Sequence, residues 1–327
     1  MANFYGQYIG FGAGGEAAPS YTNFWYGERG LFCGGWQVSG ARSNVIDYIN
    51  IASEGDASDF GDLTGTGRRY IGGCSDASRA VFGGGAGSWT EMYDTIDYVN
   101  VASIGNATDF GDYSAGAYGS AAASNGTRGL FFLGENKATG SWLSLTEIEY
   151  VTIQSAANTN DFGDRTGTGS SNPMACSNGT KALCGGGLTH ASVKLQNIDT
   201  VNMDSLGNAT DFGDLSTGSY SGIGAGARER GIFHLGYIST GKVVTLEYVT
   251  ISSNANAQDF GDLTTPARGG AGGTCSGTRV VVGGGVTTTN VNTIDFVVTD
   301  SLGNANDFGD LTQARYADPG GASGNAA

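Results

Sequence analysis

Histidine is almost missing from this chain: His190 and His234 are the two in 327 residues. A Ser-His-Asp or Cys-His arrangement would have to be built on one of them. Five cysteines are present but none in a C-x-x-C spacing, which excludes the usual zinc framework. Basic residues are scarce, 16 Lys and Arg against 31 Asp and Glu, for a formal charge of −15. A surface of that sign repels polyanions, so neither nucleic acid nor an anionic membrane is expected as a partner. No apolar run approaches the ~20 residues of a membrane-spanning helix. The opening segment MANFYGQYIGFGAGG has neither the basic region nor the apolar stretch of a secretory leader, so none is expected.

Glycine, by contrast, is abundant, with 58 residues. Each glycine in a helix interior costs roughly 1 kcal/mol relative to alanine, which argues against a helical fold. Collagen would need a strict three-residue glycine period, and there is none. Disorder is excluded as well, because 39% of the residues are hydrophobic and Phe, Tyr and Trp number 15, 15 and 4. What remains is a turn-rich, all-β protein.

One repeat organises the sequence. The tetrapeptide DFGD occurs six times, beginning at Asp59, Asp109, Asp161, Asp211, Asp259 and Asp307. Upstream of it lie glycine clusters, Gly34-Gly35, Gly83-Gly84-Gly85, Gly185-Gly186-Gly187 and Gly283-Gly284-Gly285, with degenerate copies at Gly134-Glu135 and Gly236-Tyr237. Each unit reads as four short strands. The first turns at Asn125-Gly126 or Asn178-Gly179, a strong hairpin signal because both central positions of such a turn take positive φ. The second is the apolar run before the glycines, and the third is of the Ile96–Val101 type, apolar on both faces. The fourth carries DFGD. Six such units predict a six-bladed β-propeller of four-stranded antiparallel blades.

These landmarks resemble the kelch-type propeller repeat, with the glycine cluster after the second strand and Phe60, Phe110, Phe162, Phe212, Phe260 and Phe308 where that family carries a Trp. The Arg of the family's repeat is kept in part, at Arg68, Arg268 and Arg315. The wording NATDFGDLT with NTIDYV is also similar to repeats of marine bacteriophage virion proteins, which implies a tail or capsid appendage. The expected organisation is an N-terminal arm over 1–16, a propeller over 17–312 and a Gly/Ala-rich tail over 313–327. The first blade is expected to take its first strand from residues 21–26. The aromatic arm Phe4–Phe11 is expected to seal the ring or to pair with a neighbouring subunit.

DFG also occurs in protein kinases, but there as a single copy beside a strand lysine and an HRD loop, neither of which is present here. The preferred reading is a blade-packing Phe in a turn stabilised by Asp side chains. Paired aspartates such as Asp59 and Asp62 are the alternative, as calcium ligands, although calcium wants six to eight oxygens. No cofactor is expected. The cysteines read as buried free thiols, with Cys74, Cys176 and Cys275 at one repeat position and Cys33 and Cys184 at another. His234 is expected between blades and His190 in a solvated loop.

Four alternating strands put the 1–2 and 3–4 connections on one face and the 2–3 and 4–1 connections on the other. The first face is monotonous across the repeats, whereas the second varies, as binding loops on a rigid frame do. It is predicted to carry Trp36, Trp89, Tyr93, Trp142, His190 and Tyr237 on 2–3 connections and Arg68 and Tyr70 on 4–1 connections, with Met92, Lys137, Arg69, Tyr118 and Tyr220 nearby. Exposed aromatics of this kind mark recognition surfaces. The expected function is therefore non-enzymatic: a virion structural or adhesion protein, assembled in the host cytoplasm and homo-oligomeric, that binds another virion protein or a host-surface glycan. A free carbohydrate-binding lectin is the alternative.

Overall fold

The apolar triplet Leu130-Phe131-Phe132, too bulky for solvent on either face, forms the second strand of a blade and is fully buried. The same happens six times. The computed structural model describes residues 26–137, 141–264, 266–316 and 320–325, and among them the strands form six four-stranded antiparallel sheets with no helix. From the axis outward, blade 2 runs Gly72–Ser75, Arg79–Gly83, Thr95–Asn100 and Thr108–Asp112. Blades 3 to 6 repeat this order, starting from Ala121–Ser124, Met174–Ser177, Ile223–Ala227 and Gly272–Cys275.

Blade 1 departs from the sequence reading. Its three outer strands are Arg29–Cys33, Val45–Asn50 and Ser58–Asp62, but its innermost strand is Gly320–Gly324 from the other end of the chain. Arg29 pairs with Gly324 and Cys33 with Gly320, antiparallel. The segment assigned to a tail thus closes the ring, and no edge is left open at the seam. Its Gly/Ala composition is what the innermost position demands. A Cβ on Gly73 of blade 2 would lie 2.6 Å from the Gly321 carbonyl oxygen, so larger side chains have no room at the axis. The arm over 1–16 and, but for Tyr26, the strand expected within 21–26 lie outside the described residues.

No single core exists. Six apolar clusters lie one between each pair of neighbouring blades, including the pair 6 and 1. The DFGD motif serves these interfaces from the fourth, outermost strand of each blade, as expected, without the Asp-stabilised turn also read there. Its Phe is the extra residue of a β-bulge, as between Asp109 and Gly111 in blade 2. That bulge turns the Phe inward, where Phe110 meets Tyr98 edge to face at 6.0 Å. It also aims backbone carbonyls at the next blade. Phe60 O accepts from Gly105 N–H and Asp62 O from Ala107 N–H, both at 2.8 Å, while Asn106 Oδ1 accepts from Asp62 N–H at 3.1 Å. The wording GNATDFGD is therefore a clasp whose two halves sit on neighbouring blades.

A second latch starts at the basic residue that opens the second strand. Arg79 lies 4.2 Å over the Tyr98 ring and donates to the Ile153 carbonyl of blade 3 at 3.0 Å. Arg29, Arg128, Arg230 and Arg279 repeat the bond to the following blade at 2.7, 2.6, 2.5 and 3.1 Å.

Candidate functional site

Among the described residues, the 2–3 connections of blades 2, 3 and 5 fold into short ribbons above the sheets, and that of blade 1 pairs with the 4–1 connection from blade 6. Trp36–Gln37 pairs with Arg315–Tyr316, Ala86–Ser88 with Glu91–Met92, Glu135–Asn136 with Leu143–Ser144, and Tyr237–Ile238 with Gly241–Lys242. These 4–1 connections are each bridged to the 2–3 connection of the blade they enter, through Arg69 and Ala86, Tyr118 and Glu135, Ser171 and Leu188, Tyr220 and Tyr237, and Gly269 and Val286. The two sets of loops therefore form one face, as the strand alternation predicts.

Arg68 does not belong to its surface. The side chain is buried, and its Nη2 lies 2.9 Å from Asp97 Oδ2 on the third strand of blade 2, where Thr64 Oγ1 also donates to Oδ1 at 2.5 Å. Its neighbour Arg69 faces the loops instead. Equivalent buried pairs join Arg268 to Asp295 and Arg315 to Asp47 at 2.9 Å, and Arg165 to Asp199 at 3.3 Å. At the two remaining interfaces no Arg is in place, and the Asp is replaced by Glu149 or Glu247, whose longer side chain reaches Ser114 or Ser216. The Arg of the repeat is structural, since an unpaired carboxylate at these depths would be costly.

The remaining predicted residues converge, apart from one. Arg69, itself 5% exposed, is held by three rings: Trp36 at 4.5 Å, Trp89 at 4.8 Å and Tyr70 at 5.1 Å. Trp89, exposed to 58%, meets Tyr118 at 6.3 Å and Trp142 at 6.4 Å. Tyr118 in turn contacts Tyr70 at 5.5 Å and Trp142 at 5.6 Å, and the exposed His190 stacks on Trp142 at 6.4 Å. Across the axis, Tyr220 stacks on Tyr237 at 5.2 Å. Tyr93 sits apart from these ring contacts, with its hydroxyl 3.3 Å from Thr66 Oγ1.

Between the aromatic arc and the Tyr220–Tyr237 pair the mouth of the propeller axis opens into a cavity of ≈ 250 Å³. Tyr70, Trp89, Tyr118, Tyr220, Tyr237 and Tyr316 supply its rings, and Ser171, Asn172 and Ser221 supply polar groups. Its mouth is fixed by the backbone. Tyr70, Gly119, Asn172, Ser221 and Gly270 all have φ between 50 and 68°. Each links to the next around the axis: Gly119 N–H donates to Tyr70 O, Asn172 to Gly119, Ser221 to Asn172 and Gly270 to Ser221, at 2.7–3.1 Å. A tyrosine in the left-handed region is strained, and such strain marks places where function has overridden backbone preference.

Sequence reasoning omitted Tyr316, placed in a tail, and Asn172. A signal for the first was present. Tyr118, Tyr220 and Tyr316 occupy one repeat position, following blades 2, 4 and 6, and bridge to Glu135, Tyr237 and Trp36. The two degenerate glycine clusters mark the ribbons that bear the first two of these partners.

The two histidines fall where expected, His190 exposed and His234 fully buried with Nε2 3.0 Å from Val243 O. The cysteines are unpaired; four are buried and Cys275 is half-buried. Burial pushes the Cys33 and Cys184 thiols up to about 12. Cys74 and Cys176 do share one position, facing Val81 and Leu183, but Cys275 sits one residue further along its strand and Thr274 takes the shared place. Cys33 and Cys184 are likewise offset by one, Cys33 facing Ile46 and Cys184 facing Asp199. Among the described residues, no three His, Cys, Asp or Glu side chains are grouped to hold a metal ion.

No protein-family model matches the chain, and no curated protein is similar enough to count as a relative.

Proposed function

We propose that the chain is a non-enzymatic adhesion component of a bacteriophage particle, and that its loop face recognises a host-surface glycan. The observation that carries the binding half of this reading is the asymmetry of the two faces. The loop face gathers six aromatic rings around a cavity of ≈ 250 Å³, just below the usual size range of small-ligand pockets. Flat aromatic rings, with Asn172, Ser171 and Ser221 beside them, suit a sugar, which has an apolar ring face and a polar edge. The particle half of the reading is supported by the likeness of the DFGD repeat to those of marine phage virion proteins.

A second contact, with another virion protein, is favoured by the opposite face. Ile104, Leu206 and Leu302 are exposed there to 60, 58 and 57%, at one position of blades 2, 4 and 6. That face would seat the propeller on the particle and leave the loop face outward.

The test has two parts. Purified protein on a glycan array is expected to bind a subset of sugars, and Trp89→Ala is expected to abolish that binding while leaving the melting temperature unchanged. Mass spectrometry of purified particles is expected to find the chain in fixed stoichiometry. Absence from particles with glycan binding intact would favour a free lectin; no binding to any glycan would overturn the recognition reading.

A further inference from the structure

A second cavity lies on the loop face, outside the axial mouth. It is a groove of ≈ 550 Å³ between the 2–3 connection of blade 1 and the ribbon of blade 2, with residues 65–67 of the intervening 4–1 connection also lining it. That volume is within the usual range of small-ligand pockets. Trp36 and Arg42, which line the groove, form an antiparallel bridge, and this puts their side chains on one face of the blade-1 connection. Arg42 reaches across to blade 2, where its Nη1 donates to the Gly87 carbonyl and, at 3.2 Å, to Glu91 Oε2. Three polar heads converge at Gly87, since a Cβ there would lie within 2.7 Å of Arg42 Nη1, Glu91 Oε2 and Tyr93 Oη. Tyr93 Oη is in turn 3.3 Å from Thr66 Oγ1. Tyr93, which stands outside the aromatic arc, thus belongs to a polar cluster of its own.

That cluster offers both halves of a hydrogen bond. Arg42 Nη2 and Nε make no bond among the described residues, and the side chain is 32% exposed, so both are free to donate. Glu91 Oε1 accepts no bond among the described residues and belongs to a side chain 52% exposed. The hydroxyls of Thr66 and Tyr93 can act either way. Adjacent hydroxyls of a pyranose each donate and accept, so a vicinal diol matches a guanidinium beside a carboxylate, and the apolar face of the sugar ring matches Trp36. Arg42 and Glu91 neutralise each other, and an anionic sugar would meet the carboxylate. The match is therefore to an uncharged sugar.

The groove adjoins the axial cavity. Ser88 lines the first and Trp89, the next residue, lines the second. Arg69 lies 4.5 Å from the ring centre of Trp36 and 4.8 Å from that of Trp89, so the two rings are within about 10 Å of each other. That is about the span of two linked pyranoses. We infer that the groove is a second subsite for an uncharged sugar, and that the loop face binds an oligosaccharide chain whose neighbouring units occupy the axial cavity and the groove. This rests on the glycan-binding reading above and adds the length of the ligand and the charge of one of its units.

The test uses the full-length chain on an array of uncharged glycans graded from monosaccharides to hexasaccharides, with carboxylate-bearing counterparts. Chains long enough to fill both subsites are expected to bind roughly tenfold more tightly than the short sugars that fill the axial cavity alone. Gly40 and Gly65 line the groove with φ of +80 and +66°, and a Cβ on either meets nothing within 4 Å. Asn tolerates that backbone region, so a Gly40→Asn/Gly65→Asn double variant adds bulk there without disturbing the fold. It is expected to lose the length advantage while keeping its affinity for short sugars and its melting temperature. Arg42→Ala should reduce the advantage several-fold with the same short-sugar affinity. Equal affinity for short and long chains would overturn the inference and leave axial recognition in place. So would a length advantage that survives both variants, or one confined to carboxylate-bearing chains. Loss of short-sugar binding in the groove variants would mean one site rather than two, and would overturn it as well. Binding of no glycan at all would remove the parent reading too.

Discussion

Arg315 and Asp47 are separated by 268 residues in the chain and by 2.9 Å in the fold, guanidinium Nη2 to carboxylate Oδ2, with both side chains fully buried. The same guanidinium donates to the carbonyls of Phe32 and Val45 at 3.0 Å, and Thr312 Oγ1 donates to Asp47 Oδ1 at 2.6 Å. Blade 6 is thereby tied to blade 1, the blade assembled from both ends of the chain. Desolvation lowers the pKa of Arg315 while Asp47 raises it. The pair holds because the carboxylate and the carbonyls together replace the lost water.

Removing one partner leaves the other charge buried and alone. Arg315→Ala is therefore expected to lower the unfolding free energy by about 3–5 kcal/mol. Arg42→Ala, which breaks the more exposed 3.2 Å pair with Glu91, should cost under about 1 kcal/mol. Urea unfolding of both variants checks the contrast, and similar costs would show that the closing pair contributes no more than a surface one.

The seam also depends on Gly320–Gly324. Ending the chain after Tyr316 would remove the innermost strand of blade 1 and uncover the edge of Arg29–Cys33, where Leu31 and Phe32 are fully buried. Exposed apolar strand edges associate. The truncated protein is expected to elute as soluble aggregate on size exclusion and to lose its cooperative melting transition. A monomer with unchanged melting temperature would mean that another segment closes the ring.

Much of this was legible in the chain because a repeat prints each structural role six times. Blade number, strand order and the loop face all follow from landmarks such as the DFGD phenylalanines and the glycine clusters. The seam was not legible: its last strand is a glycine-rich segment with no apolar period, and its identity depends on the space left by Gly73 and its neighbours rather than on propensity. Arg68 misled for a related reason. Arg68 and Arg69 are adjacent and chemically identical, and both are buried; only the reach to Asp97 separates a strut between blades from a cation held among the loop-face rings. The asparagine of GNATDFGD reads locally as a turn former, whereas its partner lies 44 residues away on another blade.

That clasp makes the role of the motif's glycine testable. Gly163 has φ of +143°, and a Cβ there would lie 2.5 Å from the Gly207 carbonyl oxygen of the next blade. Gly163→Ala is expected to cost about 2–4 kcal/mol through backbone strain and separation of blades 3 and 4. Asn208→Ala, which removes only the acceptor for Asp164 N–H at 3.0 Å, should cost about 1 kcal/mol. The ranking is read from denaturant midpoints, and a reversal would mean that the side-chain bond, not the close approach, holds the rim.

His234 should set the acid limb of stability. Burial lowers its pKa from 6.5 to about 4; donation to the Val243 carbonyl opposes this shift, and the nearby Arg268 charge reinforces it. In the unfolded chain the ring titrates near its ordinary value. As pH falls below about 6.5 the unfolded state takes up a proton that the folded state refuses, so stability declines until about pH 4, where the folded ring is protonated too. The full loss is roughly 3 kcal/mol. Blade 3 carries Phe132 at the equivalent position, at the end of its second strand, so His234→Phe keeps an aromatic ring there and removes the titration. The variant should be somewhat less stable at pH 7, having lost the bond to Val243, yet lose about 2–3 kcal/mol less than the wild type between pH 7 and pH 4.5. Urea melts at the two pH values measure the difference, and parallel declines would assign the acid limb to other groups.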